Sequence, residues 1–239
     1  MSIQAEVAQY IDNVGPGKVF GYGDMPAYQQ SPNAVVKAVS RLIKSNKIKR
    51  LSKGNFYRPK QGLLGEVRPS SSEVLKSVLF KGSQRVGYVT GPSLYNRLGL
   101  TTQIPKTVTI AINGARQAKD LKTVQIKLKV AKAPITEDII PQLELLDALN
   151  DIKKVADTRP DSVLHAIDSK ASKLSDTEFE KMVQLALQYY PASVRALLGL
   201  ICDGLQRSRY ASQLQLSLNP LSTYKIPLQS SLAKKWNIR

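Results

Sequence analysis

Ser31-Pro32-Asn33-Ala34-Val35-Val36-Lys37-Ala38-Val39-Ser40-Arg41-Leu42-Ile43-Lys44-Ser45-Asn46 runs directly into Lys47-Ile48-Lys49-Arg50-Leu51-Ser52-Lys53-Gly54-Asn55-Phe56-Tyr57-Arg58. The first half predicts a helix. Ser31 suits the N-cap, where its hydroxyl can accept from an early backbone N–H, and Pro32 suits the first helical position, where no N–H is needed. At about 100° per residue, Val35, Val36, Val39, Leu42 and Ile43 fall in one arc of roughly 120°. Asn33, Lys37, Arg41 and Lys44 fall on the other side. The second half predicts a hairpin, with residues 48–52 and 56–58 as strands and Lys53-Gly54-Asn55 as the turn, because Gly and Asn tolerate positive φ. Ile48 and Leu51 cannot share one face of a flat strand, so a bulge or an early turn is expected there. A helix with a cationic front followed at once by a cationic hairpin is the pattern of a winged helix-turn-helix.

Working outward, residues 3–14 place Ile3, Val7, Tyr10, Ile11 and Val14 at helical spacing, with Ser2 as cap. Val19-Phe20 is a short strand, and Asp24 is expected to cap a short helix through Tyr28. The order helix, strand, short helix, helix, hairpin is complete within residues 1–60. Residues 61–72 are rich in Gly, Pro and Ser and read as a linker, with Ser72 capping a helix over 73–80. A mixed domain over 73–239 follows. Period-two alternation in 107–112 and 123–130 predicts half-buried antiparallel strands, one face apolar and the other bearing Lys127 and Lys129. From about 138 to 205 the apolar spacing is helical, with Ser175-Asp176-Thr177-Glu178 forming a capping box. Residues 207–239 give no firm pattern. The fold class expected is α+β: a winged helix-turn-helix, then antiparallel strands, then a helical part.

Charge divides the chain unevenly. The formal net charge is +17, of which residues 1–60 carry +7, residues 61–135 carry +9 and residues 136–239 carry +1. A basic front attracts polyanions, since displacing counterions from nucleic acid favours association. No lipidation signal, long apolar run or basic amphipathic terminus points to a membrane, and no signal-peptide pattern opens the chain. A single cysteine, Cys202, rules out an internal disulfide framework, so a cytoplasmic location is expected.

Little in the sequence suggests catalysis. The one histidine, His165, lacks the partners a site requires, Cys202 lies on an apolar stripe, and no ligand spacing suggests a metal. Acidic residues between Glu137 and Glu180 fall where solvent-facing helix surfaces and helix starts would place them. Gly91-Pro92-Ser93 is too short for a phosphate loop. No cofactor is expected, and the chain reads as a non-enzyme.

The run 35–42 with 47–57, and the block Gly87-Tyr88-Val89-Thr90-Gly91-Pro92-Ser93-Leu94-Tyr95-Asn96-Arg97-Leu98-Gly99-Leu100-Thr101-Thr102-Gln103-Ile104-Pro105, together resemble the AbiE-type antitoxins of type IV toxin–antitoxin systems. The likeness covers roughly residues 1–130. It implies an N-terminal domain that binds inverted repeats in its own promoter as a repressor. It also implies a C-terminal domain that opposes a nucleotidyltransferase toxin, with or without direct contact. On double-stranded DNA, Asn33, Lys37, Ser40 and Arg41 are expected to reach base edges, since Arg can fork onto guanine and Asn onto adenine. Lys44, Lys49, Arg50, Lys53 and Arg58 are expected to grip phosphates. Arg85, Lys127 and Lys129 are a candidate second basic surface. The competing readings are a regulator with no antitoxin role, a basic module that holds an acidic protein, and a metal-dependent enzyme acting on RNA.

Overall fold

Three helices and a three-stranded sheet build the first part of the chain in a computed structural model that describes residues 2–63, 65–82, 84–114, 119–120 and 124–239. α1 (Ile3–Asn13) starts at Ser2, whose hydroxyl accepts from the Ala5 N–H as expected. β1 (Val19–Gly21) leads to a short 3-10 turn, Tyr22–Asp24. Asp24 caps no following helix; its carboxylate turns back to accept from the Gly21 N–H at 2.6 Å. α2 (Ala27–Gln30) and α3 (Pro32–Lys44) come next. β2 (Lys49–Ser52) and β3 (Asn55–Tyr57) form the hairpin, and the sheet order is β1-β3-β2 with both pairings antiparallel. The register shifts between Arg50 and Ser52, the irregularity that Leu51 demands, and Gly54 turns the hairpin at φ 78°. This is winged-helix connectivity. Its core is Val7 and Ile11 of α1, Val35, Ala38 and Val39 of α3, Phe20, Met25, Ile48 and Phe56. The rings of Phe20 and Phe56 lie 6.1 Å apart and Tyr22 meets Phe56 edge-on at 5.0 Å.

The segment read as a linker is structured. β4 (Lys60–Gly62) and β5 (Gly65–Val67) pair antiparallel as a second hairpin, with Leu63 at its turn fully exposed. α4 (Ser71–Leu79) is capped by Ser70, not Ser72, and packs against β1. β6 (Phe80–Lys81) and β7 (Gln84–Arg85) follow as a short antiparallel pair. The chain divides into two compact units, Met1–Gly87 with Ala118–Ile126, and Tyr88–Gln117 with Lys127–Arg239. The boundary expected at residues 61–72 therefore falls some fifteen residues later, because α4 is held by the β1 strand of the first unit.

β8 (Gly87–Thr90), β9 (Thr107–Ile112) and β11 (Gln125–Val130) pair in the order β8-β9-β11, and β10 (Lys119–Asp120) pairs antiparallel with Gln125 and Ile126 at the start of β11, residues counted with the first unit. Thr123, the expected start of that strand, lies outside the described residues. Alternation holds for Ile126 and Leu128, but both Ile110 and Ala111 are buried, so β9 is covered on both faces at that point. α5 (Pro92–Arg97) follows β8. α6 (Ile140–Asn150), α7 (Pro160–Ala171), α8 (Asp176–Tyr189), α9 (Ala192–Gly204) and α10 (Ser208–Leu216) build the helical part. The capping box at α8 forms in full: the Glu178 N–H donates to the Ser175 hydroxyl, and the Ser175 N–H donates to the Glu178 carboxylate. The unpatterned end resolves into α10 and a 3-10 turn, Ala233–Trp236. The Trp236 ring lies so close to α9 that a Cβ on Gly199 would sit 2.1 Å from it, and the indole N–H donates to Asp203 at 2.8 Å. Glycine is required there by close approach.

Candidate nucleic-acid interface

α3 owes its outward face to its own sequence. Ser31 begins it through its backbone, whose carbonyl accepts from the Val35 N–H at 3.1 Å; the side chain makes no cap bond, a departure from expectation. Asn46 ends it in the left-handed region at φ 56°, which lets the chain double back into β2. Val35, Ala38 and Val39 are buried, while Asn33, Lys37, Ser40, Arg41 and Lys44 are exposed. One residue departs from the expected arc: Val36 was placed inward and is 40% exposed. The α3 core is filled by Val35, Ala38 and Val39, so Val36, at the edge of the apolar arc, has no room among them.

The nine residues singled out for DNA contact do not stand alike. Lys37, Lys44 and Lys53 form no ion pair among the described residues. Arg41 is exposed, but its guanidinium donates to the Gln4 side chain of α1 at 2.7 Å. Arg50 lies over the Phe56 ring at 5.9 Å and stays exposed. Lys49 pairs with Glu66 of β5 at 2.5 Å, and the hydrogen bond to that carboxylate raises its pKa. Arg58 donates to the carbonyls of Asp12 and Val14 at 2.9 and 3.2 Å, closing the end of α1. Lys49 and Arg58 therefore hold the first unit together, which departs from their expected role as phosphate contacts.

The three residues expected to form a second basic surface are engaged differently from one another. Arg85 lies over the Phe80 ring at 5.4 Å and donates to the Gly87 carbonyl. Lys129 turns inward to Asp147 at 3.7 Å, and its side chain is only 31% exposed. Of the three, Lys127 alone counts as exposed.

Asp147 is the residue that sequence reasoning missed. Only 1% exposed, its carboxylate accepts from the hydroxyls of Thr90 (2.6 Å), Tyr88 (3.1 Å) and Tyr190 (3.0 Å). Burial first, then the neighbouring negative charge of Asp147, pushes the Tyr88 and Tyr190 phenols far above their ordinary range. Nearby, the Lys132 ammonium sits 4.7 Å above the Tyr190 ring and donates to Asn150 at 2.6 Å; burial lowers its pKa. Burial alone would raise the Asp151 carboxyl, but hydrogen bonds from Lys154 and Tyr95 outweigh it and hold the group below the usual carboxylate range. The signal was present in the sequence: an acid set inside Leu143-Glu144-Leu145-Leu146-Asp147-Ala148-Leu149 interrupts an apolar run. Its oxygens are satisfied by hydroxyls and an ammonium, so it ties strand to helix.

His165 is exposed, and Cys202 is buried, its thiol pushed up to about 12 by burial. Among the described residues no three His, Cys, Asp or Glu side chains cluster as a metal site, and no helix is long and apolar enough to cross a membrane.

Fold and surface define a two-unit α+β protein whose first unit has winged-helix connectivity and an exposed cationic helix face. The chain belongs to the Family of unknown function (DUF6088), whose model matches residues 6–185. No curated protein matches it. Among solved structures, the crystal structure of the RV2827C protein from Mycobacterium tuberculosis is similar, with a TM-score of 0.52 at 12% identity over 99% of this chain and 90% of that one. At that identity the likeness concerns fold alone.

Proposed function

We propose that this chain is a sequence-specific, double-stranded-DNA-binding transcriptional repressor acting in the cytoplasm on inverted repeats in its own promoter. We further propose that it serves as the antitoxin of a type IV pair, opposing a nucleotidyltransferase toxin. The observation that carries the DNA reading is the face of α3: Asn33, Lys37, Ser40 and Lys44 are exposed on one side while Val35, Ala38 and Val39 anchor the other. In helix-turn-helix proteins the early part of the recognition helix meets base edges, and phosphates are gripped around it. Asn33, Lys37 and Ser40 then read bases, while Lys44, Arg50 and the hairpin-tip Lys53 contact phosphates. Arg41, steadied by Gln4, lies at the border of the two sets. The antitoxin part rests on the AbiE-type resemblance and is separable from the first.

The test is fluorescence anisotropy of the full chain on a labelled duplex from upstream of its own gene, against a scrambled duplex, across a salt series. Tighter binding to the natural duplex is expected. Lys37→Ala should abolish most of the preference, and Arg41→Ala should relax it at one base pair at a cost of about 1–3 kcal/mol. Equal binding to both duplexes would refute sequence-specific repression. For the antitoxin part, co-expression with a neighbouring nucleotidyltransferase-like product should restore growth that the product alone arrests.

A further inference from the structure

Val36 is the outlier on α3. It is an apolar, β-branched residue that is 40% exposed at the edge of the apolar arc, where that arc meets the polar and cationic face. The core beneath is complete without it, since Val35 and Val39 on either side are fully buried. Helix propensity gives no reason for it either, because valine is a weaker helix former than alanine or lysine. On the helical wheel it lies within about 60° of both Asn33 and Ser40, so it belongs to the edge of the base-facing set. It is also in the first half of α3, the part of a recognition helix that meets bases.

We infer that Val36 reads the 5-methyl group of a thymine in the major groove, so that the preferred site carries an A·T pair opposite the first half of α3. This rests on the DNA reading above. Valine methyls offer nothing to a phosphate, and the thymine methyl is the apolar group that major-groove base edges present. The charge around Val36 is of the right sign to bring the groove close: Lys37 and Lys44 share its exposed side of α3 and make no ion pair among the described residues. Asn33, one turn earlier, has the donor and acceptor that suit adenine, which favours an A·T-containing step under both residues.

The experiment uses the full chain and a duplex selected by it from a randomised pool. Each thymine in that duplex is replaced in turn by deoxyuridine, which removes one methyl and leaves pairing intact. At one position per half-site, the wild-type chain should lose about three- to five-fold in affinity, the worth of one buried methyl. Val36→Ala should lose a similar amount on the thymine duplex and be indifferent to deoxyuridine at that position. Val36→Thr, which keeps one methyl and the side-chain shape, should retain part of the sensitivity. Circular dichroism should show all variants folded, as expected at an exposed site. If Lys37→Ala weakens binding while no deoxyuridine substitution matters, the inference is overturned and the DNA reading stands. If Val36→Ala weakens thymine and deoxyuridine duplexes equally more than wild type does, Val36 acts through helix packing and the inference is likewise overturned. If no duplex is selected, the DNA reading fails and takes the inference with it.

Discussion

Lys49 with Glu66 in the first unit and the exposed Lys127 in the second aside, the two units use the cations described above differently. In the first, Lys37, Lys44 and Lys53 stand in solvent with no carboxylate partner among the described residues. In the second, cations are folded onto acids: Arg97 on Glu144, Lys129 on Asp147, Lys154 on Asp151, Lys181 on Asp138, Arg207 on Asp176 and Lys235 on Asp203. Residues 61–135 carry the largest net positive charge, yet Arg97 and Lys129 are neutralised by carboxylates that arrive after residue 136. A segment's net charge therefore does not measure the charge it offers to a partner. What matters is which cations have an acid within reach once the chain has folded.

The contrast can be broken most forcefully at Asp147. Asp147→Ala leaves the Lys129 ammonium and the hydroxyls of Tyr88, Thr90 and Tyr190 without their shared acceptor. Loss of a buried charged partner costs about 3–5 kcal/mol, to be read from urea unfolding. The matched change in the first unit, Lys44→Ala, should move stability by less than about 0.5 kcal/mol, as surface substitutions do. Comparable losses from the two would erase the distinction.

A smaller effect is expected at Asp151. A carboxyl held below its ordinary range adds stability that is present above about pH 4 and is lost as pH falls through its folded value. Tyr95→Phe removes one of the hydrogen bonds that lowers it. The variant should be about 1–2 kcal/mol less stable at neutral pH and should converge on the wild type in acid. A constant difference across the pH series would show that Tyr95 contributes only packing.

The smallest effect belongs to the hairpin tip. Lys53→Ala should leave stability unchanged, weaken DNA binding about equally on every sequence, and flatten the slope of log affinity against log salt by about one unit. An unaltered slope would remove the hairpin from the proposed interface.

Local chemistry accounts for what was legible from sequence. The spacing of apolar residues defined α3, the clash between Ile48 and Leu51 required the register shift, and Ser175 with Glu178 marked the start of α8. Features set by partners distant in the chain were not legible. Asp147 looked like one more helical acid until Tyr88, Thr90 and Tyr190, which lie 43 to 59 positions away in the chain, converged on it. Lys49 and Arg58 looked free until Glu66 and the end of α1 claimed them. The hairpin over 60–67 was hidden because Gly, Gln and Leu there serve a tight turn as readily as a loose connection. Val36 was misplaced by a few tens of degrees on the wheel, where burial passes gradually into exposure.

The seating of Trp236 against Gly199 has a practical consequence. It is the single tryptophan of the chain, and it is fully buried in the second unit. Its emission will therefore report directly on the packing of that half and not on α3, the helix that carries Lys37. Following the winged unit requires another optical handle, such as a tryptophan introduced at Tyr28.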